Sequence, residues 1–359
     1  MYFYLAEGKA VGAQLPSGEW AAELPFWTRA TTGAEEAKGE IPSFSVVSYN
    51  VLCDAERLGR GSNHDYASIN VRLWPFRCHN IVEQVNRLNP SVVCLQEVSP
   101  AMYGDLSHAF ADKGYHGTYV KKILPSWQPS FQFGETLGNA IFIRAQADTR
   151  VIAVGSRYFA NDSESMHQLL NSKELLESAQ KRADNAQFVV VEVAGGAGRV
   201  LVANTHLYWE WREPEVRVKQ AQGQLYKRYV EEWAATHSCD ALIACGDYNT
   251  EPSDPLYDYL AKEGVTEVPW QGAYVSALGR QPPITTKTAT YHGVIDHIFY
   301  RKRRLAATTG TTMRVGAVSW MPSWGEGTLE ELAALPAAPN VTNPSDHFMI
   351  GANFTFKGA

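Results

Sequence analysis

The chain has 359 residues, of which 45% are hydrophobic and 19% are charged, and its formal net charge is −6. This composition supplies a sizeable hydrophobic core and excludes an intrinsically disordered protein. The acidic balance argues against a protein that coats long duplex nucleic acid, because such binding depends on many lysine and arginine contacts to phosphates.

The sequence has no apolar run that approaches the length of about 20 residues needed to cross a bilayer, and its start lacks the pattern of a secretory signal. The five cysteines are scattered and form no C-x-x-C pair, so neither a disulfide framework nor a zinc knuckle is indicated. We therefore expect a soluble intracellular protein, in the cytoplasm, that does not bind membranes.

Residues 1–42 mix aromatic residues with Gly, Pro and Ala, and we interpret them as an N-terminal extension that precedes one domain over residues 43–359. In this domain apolar strands alternate with helical patterns, which indicates an α/β fold. The predicted strands are 45–52, 91–97, 138–144, 188–193, 200–207, 241–247, 293–300 and 348–356. The predicted helices are 72–88, 101–113 and about 215–235. A polar helical insertion is predicted at 161–182, and a surface segment rich in Pro and Gly at 321–344.

Polar residues stand at the ends of these apolar strands, where α/β proteins place their chemistry. Each has a structural alternative when taken alone: an asparagine can be a turn residue, a glutamate a helix cap, and a histidine a buried core residue. Their joint occurrence at strand ends favours a functional site. The set is Asn50, Glu97, Asn204, His206, Asp247, Asn249, Asp296, Asp346 and His347.

These residue types favour a hard divalent cation. Mg²⁺ takes oxygen ligands and keeps several waters, so a few Asp, Glu and Asn side chains suffice to hold it. The sequence has no H-E-x-x-H helix and no Cys/His set for zinc. It also lacks the P-loop of nucleotide triphosphatases and the G-x-S-x-G of serine hydrolases.

Six motifs occur in the order SYNVLCD, LQEV, NTHLYW, CGDYNTEP, GVIDHIFY and PSDHF. In this order they resemble the exonuclease–endonuclease–phosphatase superfamily with its DNase-I-like fold. Within it they look most like the branch that holds the poly(A)-specific deadenylases, nocturnin and the Angel proteins. The resemblance implies a four-layer α/β/β/α sandwich and one or two Mg²⁺ ions, for which Mn²⁺ can substitute.

The resemblance also implies roles for the acidic and amide residues. Glu97 is expected to be the principal Mg²⁺ ligand with Asn50 beside it, and Asp346 to bind a second Mg²⁺. Asp247 and Asn249 are expected to hold the nucleophilic water and a phosphate oxygen.

The two histidines are implied to act on the phosphate. His347, oriented by Asp296, and His206 are expected to donate hydrogen bonds to the pentavalent phosphorus centre, with Asn204 supporting His206. An aspartate behind a histidine fixes the tautomer of the ring and raises its pKa.

Three residues are candidate substrate contacts. Tyr291 stands where deadenylases of this branch have an aromatic residue that stacks on the terminal base, although it could equally be a core tyrosine. Lys121 stands where the branch often carries a lysine that contacts phosphate. Asn139 lies in Leu-Gly-Asn-Ala, where the deadenylases have Asp-Gly-Cys-Ala. Because the aspartate of that segment is absent here, the resemblance does not by itself imply strict poly(A) specificity. The basic run at 301–304 is either a solvated strand end or a contact to the RNA backbone.

These observations predict a Mg²⁺-dependent 3′→5′ exoribonuclease with adenosine preference that acts on an RNA 3′ end or a nucleotide. One alternative keeps the chemistry and changes the substrate, as in a nocturnin-like NADP(H) 2′-phosphatase or a 2′,5′-phosphodiesterase. Another alternative is a catalytically inactive RNA-binding scaffold. A lipid or inositol phosphatase is more distant, and protein partners are not predicted.

Overall fold

The structure is a computed structural model that describes residues 28–31, 43–53, 64–122, 137–145, 149–193, 198–261, 270–302, 312–320 and 334–357. Its helices are α1 (Ile69–Arg72), α2 (Trp74–Leu88), α3 (Pro100–Ala111), α4 (Ser163–Leu170), α5 (Lys173–Gln180), α6 (Val216–Thr236), α7 (Pro255–Ala261) and α8 (Ala273–Leu278). Its strands are β1 (Thr28–Thr31), β2 (Ser43–Asn50), β3 (Val92–Val98), β4 (Tyr115–Lys121), β5 (Gly138–Arg144), β6 (Thr149–Tyr158), β7 (Asn185–Val193), β8 (Gly198–His206), β9 (Ala241–Asp247), β10 (Gln271–Gly272), β11 (Thr286–Lys287), β12 (His292–Gly293), β13 (Asp296–Lys302), β14 (Thr312–Trp320) and β15 (Ile350–Lys357).

The strands form two large mixed sheets and one small hairpin. The first sheet has the order β1-β14-β15-β2-β3-β5-β4, and the second has the order β10-β13-β9-β8-β7-β6. Each large sheet contains one parallel pair, β2 with β3 and β8 with β9. A parallel pair needs a crossover connection, and α2 and α6 supply these two crossovers. The hairpin consists of β11 and β12.

The two sheets pack face to face with helices on both outer faces. In β2, Val46 belongs to the core between the sheets and Val47 to the core under α2 and α3, because successive strand residues point to opposite faces. On the outer face of the second sheet, α6 buries Val218, Ala221 and Leu225 at helical spacing. The predicted four-layer α/β/β/α sandwich is therefore confirmed.

Helix boundaries follow from local chemistry. Helix α3 begins where the hydroxyl of Ser99 accepts a hydrogen bond from the backbone N–H of Met102, and Pro100 occupies its first turn. Helix α2 ends at Asn89, which has left-handed backbone geometry. Among the helices of the described residues, none is both long and apolar enough to cross a membrane.

Most of the predicted elements are present in the structure, which also contains strands that were not predicted. The polar insertion at 161–182 forms α4 and α5, which pack on the second sheet. Thr28–Thr31, placed in the N-terminal extension by the sequence, pairs with β14. Strands β6 and β14 were not predicted; β6 is an edge strand with no buried residue, so its apolar pattern is weak. Residues 321–333 of the predicted surface segment lie outside the described residues.

The sheet order brings the polar strand ends together. Asn50 and Glu97 lie at or near the carboxyl ends of the parallel strands β2 and β3, and His206 and Asp247 end β8 and β9 as register partners. Asp296 opens β13 directly opposite Asp247 in the antiparallel register. Because the sheets face each other, both sets of strand ends border one cleft.

Candidate active site

Glu97 departs from the regular path of β3. Its φ of 58° lies in the left-handed region that non-glycine residues rarely adopt, and the pairing of β3 with β5 shifts register between Leu95 and Val98. A bulge of this kind re-aims a side chain. The two carboxylate oxygens accept hydrogen bonds from Asn50 Nδ2 at 3.1 Å and from the backbone N–H of Cys53 at 3.0 Å. Glu97 is therefore held in one orientation at the cleft.

Asn50 links the two carboxylates of the cleft. Its Nδ2 donates to Glu97 Oε1 and also to Asp247 Oδ2, the latter at 2.9 Å, while its Oδ1 accepts from the backbone N–H of Leu52 at 3.0 Å. The structure thus presents the amide nitrogen, not the oxygen that a metal ion requires, to the two carboxylates. The predicted role of Asn50 as a direct metal ligand requires the amide to turn, and it stays a prediction.

Asp247 is the central acidic group of the cleft. Burial raises its pKa above the usual range, and the neighbouring Asp296 carboxylate adds to this effect. Its Oδ1 accepts the backbone N–H of Asn249 at 2.9 Å, and Asn249 Nδ2 donates to the carbonyl of Leu207. Gly246 must be a glycine, because its φ is 147° and a Cβ there would lie 2.1 Å from the carbonyl oxygen of Thr205.

His347 and Asp296 form a buried pair beside Asp247. His347 Nδ1 lies 2.9 Å from Asp296 Oδ2, and its Nε2 lies 3.6 Å from Asp247 Oδ2. Burial opposes a charge on the ring, but the Asp296 and Asp247 carboxylates outweigh this cost and raise the pKa of His347 well above its ordinary value. The geometry agrees with the predicted orientation of His347 by Asp296 and leaves Nε2 facing the cleft.

His206 has a different electrostatic environment. Its Nε2 also lies 3.6 Å from Asp247 Oδ2, but burial lowers its pKa and the ammonium group of Lys122 lowers it further. Lys122 Nζ pairs with Asp184 Oδ1 at 2.6 Å in the interior near His206. Of the two adjacent lysines, Lys122 is the one whose charge acts on His206; Lys121 is exposed, and its contact to phosphate stays a prediction.

Asp346 is paired with a residue that the sequence did not single out. His64 Nε2 lies 2.8 Å from Asp346 Oδ2, and both side chains are buried. Ser345, the preceding residue, donates through its hydroxyl to the carbonyl of Asn50 and accepts from the backbone N–H of His347. His64 lies in a loop with no recognisable motif, so nothing in the sequence could have identified it.

Asn204, which was predicted to support His206, makes its described hydrogen bonds to other partners. Its Nδ2 donates to the carbonyls of Leu95 and Ala140, and its Oδ1 accepts from Gln96 Nε2 at 2.7 Å, so its hydrogen bonds join the two sheets. These hydrogen bonds place the side chain between the two sheets, and its predicted support of His206 stays a prediction. This polar contact fixes the position of one sheet relative to the other.

Asn139 lies in the same polar layer between the sheets. Its Nδ2 donates to Asn185 Oδ1 at 3.1 Å, while its own Oδ1 is buried without a hydrogen-bond partner. Its role as a substrate contact remains a prediction.

Tyr291 lies in the turn of the β11–β12 hairpin, and its side chain is 42% exposed. Its hydroxyl donates to Glu251 Oε1 at 2.6 Å, so the ring is anchored at one end. A tyrosine this exposed is not a core residue, and its stacking on a base stays a prediction. Arg301 of the basic run pairs with Glu231 at the opposite end of β13 from Asp296, away from the cleft. Residues 303–304 lie outside the described residues.

The residues present fit a divalent cation. Glu97 and Asp247 both lie within hydrogen-bond distance of one amide nitrogen of Asn50, so two carboxylates converge at this point. Asp247, Asp296 and His347 also place three ligand-type atoms within 4.8 Å of one another. Asp296 Oδ1 is buried without a hydrogen-bond partner. Asp247 and Asp296 are buried while Glu97 is half-buried, and oxygen ligands that converge in this way favour a hard divalent cation.

The fold and the arrangement of the site are those of a phosphoesterase. Residues 47–347 match the Endonuclease/Exonuclease/phosphatase family, and the chain belongs to this family. The chain is 26% identical over 400 aligned positions to the CCR4-Not complex 3′-5′-exoribonuclease subunit Ccr4 of Mycosarcoma maydis, which covers 99% of this chain and 56% of that protein. It is 27% identical over 346 positions to 2′,5′-phosphodiesterase 12 of Homo sapiens, covering 87% of this chain and 51% of that protein. The chain thus spans about half the length of these curated relatives.

Two solved structures share its fold. The ANGEL2 2′,3′-cyclic phosphatase in complex with adenosine-2′,3′-vanadate superposes with a TM-score of 0.68 at 19% identity, covering 92% of this chain and 98% of that one. The human Nocturnin catalytic domain with bound sulfate has a TM-score of 0.60 at 22% identity, covering 88% and 94%. The resemblance to the branch of deadenylases, nocturnin and Angel proteins is confirmed.

Proposed function

We propose that this chain is a Mg²⁺-dependent 3′→5′ exoribonuclease that prefers adenosine at the RNA 3′ end. The observation that carries the proposal is the convergence of Glu97 and Asp247 on Asn50, beside the His347–Asp296 pair. Two carboxylates for a cation and one charged imidazole are what hydrolysis of a phosphodiester requires. An exposed, anchored tyrosine on the neighbouring hairpin supplies a surface for a terminal base.

Three side chains have separate roles in the proposed reaction, namely Asp247, His347 and His206. Asp247, whose pKa is raised, is suited to orient the attacking water and to accept its proton. His347 Nε2 donates to the phosphate oxygens as their charge grows, and Asp296 holds the ring so that Nε2 carries a proton. Neutral His206 can donate one hydrogen bond to the same group.

Glu97 is the residue we assign to the cation, with Asp247 sharing it and Asp346 close to the same end of the cleft. A bound Mg²⁺ would supply positive charge to the phosphate and lower the pKa of a bound water. The hard oxygen ligands favour Mg²⁺ over zinc, and Mn²⁺ has similar ligand preferences. Whether one or two ions bind depends on Asp346, which His64 already contacts.

A second candidate keeps the same site and changes the substrate linkage. The relative named 2′,5′-phosphodiesterase 12 is as similar to this chain as the relative named Ccr4, so a 2′,5′-phosphodiesterase is the main alternative. A phosphatase acting on NADP(H) is a third possibility of the same chemistry. An inactive scaffold is disfavoured, because each of Glu97, Asp247, Asp296 and His347 is present and the four lie in one cleft.

The test is a product assay with the purified chain and Mg²⁺. RNAs with a 5′ label and an oligoadenylate, oligouridylate or oligocytidylate tail are compared with 2′,5′-linked oligoadenylate and NADPH, with EDTA as the control. The proposal expects stepwise shortening of the adenylate tail ahead of the others. Shortening of the 2′,5′-linked substrate alone, or phosphate release from NADPH alone, would contradict it and select the corresponding alternative.

A further inference from the structure

Glu251 is anchored to Tyr291 at the edge of the cleft. Glu251 Oε1 accepts the hydroxyl of Tyr291 at 2.6 Å, and Oε2 lies 3.4 Å from the backbone N–H of Val294. Each carboxylate oxygen can accept two hydrogen bonds, so the carboxylate keeps acceptor capacity beyond these contacts. Glu251 follows Asn249 by two residues, in the turn that carries the catalytic aspartate.

Gly293 shows how closely these groups pack. A Cβ at Gly293 would lie 2.1 Å from Glu251 Oε1 and 2.5 Å from the hydroxyl of Tyr291. Only a glycine leaves room for the carboxylate and the phenol to meet above the backbone of β12. The Glu251–Tyr291 contact is therefore supported by the backbone beneath it.

The hairpin that carries Tyr291 is fixed to the catalytic segment. Thr286 forms a β-bridge with His347, and its hydroxyl donates to the carbonyl of Asp346. Thr285 Oγ1 accepts the backbone N–H groups of Ile295 and Asp296. The ring of Tyr291 and its carboxylate partner thus have a fixed position relative to His347.

We infer that Glu251 is a specificity-determining residue: it holds Tyr291 in place and presents a hydrogen-bond acceptor to the edge of the base that stacks on the ring. This inference rests on the proposed function for the stacking of a nucleobase on Tyr291. An ionised carboxylate only accepts hydrogen bonds. Adenine, cytosine and guanine carry exocyclic amino donors, whereas uracil presents carbonyl oxygens at the corresponding positions. Glu251 therefore favours amino-bearing bases and disfavours uracil.

The test measures binding of AMP, IMP and UMP in Mg²⁺ to the full chain and to Glu251→Gln. IMP differs from AMP by a carbonyl in place of the 6-amino group, so it isolates the edge contact. The unaltered protein is expected to bind AMP about tenfold more tightly than IMP or UMP. In Glu251→Gln the amide oxygen still accepts the Tyr291 hydroxyl and the amide nitrogen can donate to a carbonyl, so the AMP preference should fall to about twofold or less.

Two further variants separate anchoring from base selection. Tyr291→Phe removes the hydroxyl and keeps the ring, so all three nucleotides should bind more weakly by a similar factor while AMP remains favoured. Glu192→Gln makes the same chemical change on β7, far from the cleft, and should alter nothing. An unchanged AMP to UMP ratio in Glu251→Gln, or equal binding of all three nucleotides to the unaltered protein, would overturn the inference. RNA cleavage is measured separately, so loss of the nuclease proposal leaves this binding result interpretable.

Discussion

Asn50 and Asp247 belong to different sheets, yet Asn50 Nδ2 lies 2.9 Å from Asp247 Oδ2. The hydrogen bond joins the end of β2 in the first sheet to the end of β9 in the second. The spacing of the carboxylates in the proposed site is therefore set by how the two sheets pack, and the hydrogen bonds of Asn204 join the sheets from within. The positions of the side chains in the proposed site therefore depend on how the two sheets pack against each other.

The first prediction concerns the cation. Glu97→Gln keeps the size of the side chain and removes its charge, so we expect kcat to fall by about 10²- to 10⁴-fold, since a bound metal contributes several kcal/mol to the transition state. The thermal midpoint should change little, because Gln can still accept one of the two hydrogen bonds. Steady-state kinetics over a Mg²⁺ titration provide the measurement, with Glu192→Gln as the matched control. A kcat of Glu97→Gln close to that of the unaltered protein would contradict the assignment of Glu97 as a ligand of the cation.

The second prediction concerns the orientation of His347. Asp296→Asn places an amide beside Nδ1 and favours the wrong tautomer, so kcat should fall by about 10²- to 10⁴-fold. Because the two residues act as a unit, Asp296→Asn should add little to the loss already present in His347→Ala. A double-mutant cycle in kcat measures this. Additive losses would mean that Asp296 acts independently of His347.

The third prediction concerns the buried pair of Lys122 and Asp184. Burial favours the neutral acid, but Lys122 outweighs it and lowers the pKa of Asp184. Asp184→Asn leaves the ammonium group of Lys122 without a compensating charge, so the free energy of unfolding should fall by about 3 kcal/mol in urea denaturation. The control is Glu177→Gln, which breaks an exposed pair with Lys173 and should have no measurable effect. Equal losses of unfolding free energy in Asp184→Asn and Glu177→Gln would contradict the conclusion that the buried pair of Lys122 and Asp184 stabilises the fold.

The fourth prediction concerns pH and stability. Burial among aromatic rings lowers the pKa of His297 to about 4, and its Nε2 lies 2.8 Å from the carbonyl of Thr250. The unfolded chain takes up this proton near pH 6.5 and the folded chain only near pH 4, so the unfolded state binds more protons between these values. The contribution of neutral His297 to the free energy of unfolding is complete above about pH 6.5. As the pH falls toward 4 this contribution is lost, which lowers the free energy of unfolding by up to about 3 kcal/mol.

His297→Gln removes the titration and keeps a donor for Thr250, so its loss of stability between pH 7 and pH 4.5 should be smaller than that of the unaltered protein. Urea denaturation at a series of pH values gives both curves. Parallel curves would show that His297 is not responsible for the acid sensitivity.

The strands and the order of the motifs were predictable from the sequence, because buried strands read as apolar runs and their polar ends stand out. The placement of Asp296 behind His347, which the resemblance implied, agrees with the geometry. The edge strand β6 was missed because its exposed residues mask the apolar pattern. His64 and Glu251 could not be identified, and the pairing of Lys122 with Asp184 could not be predicted, since these contacts join segments distant in the chain. The hydrogen bonds of Asn204 between the sheets could not be predicted either, because its position in the motif does not reveal which way its side chain bonds.

The most direct test of the central claim is the identity of the product released from oligoadenylate RNA under single-turnover conditions. We expect AMP to be released from the 3′ end in the presence of Mg²⁺, with no release in EDTA and very slow release by Glu97→Gln. If Mg²⁺ yields no AMP, or if Glu97→Gln releases it at the rate of the unaltered protein, the assignment of this cleft as a Mg²⁺-dependent 3′→5′ exoribonuclease site is wrong.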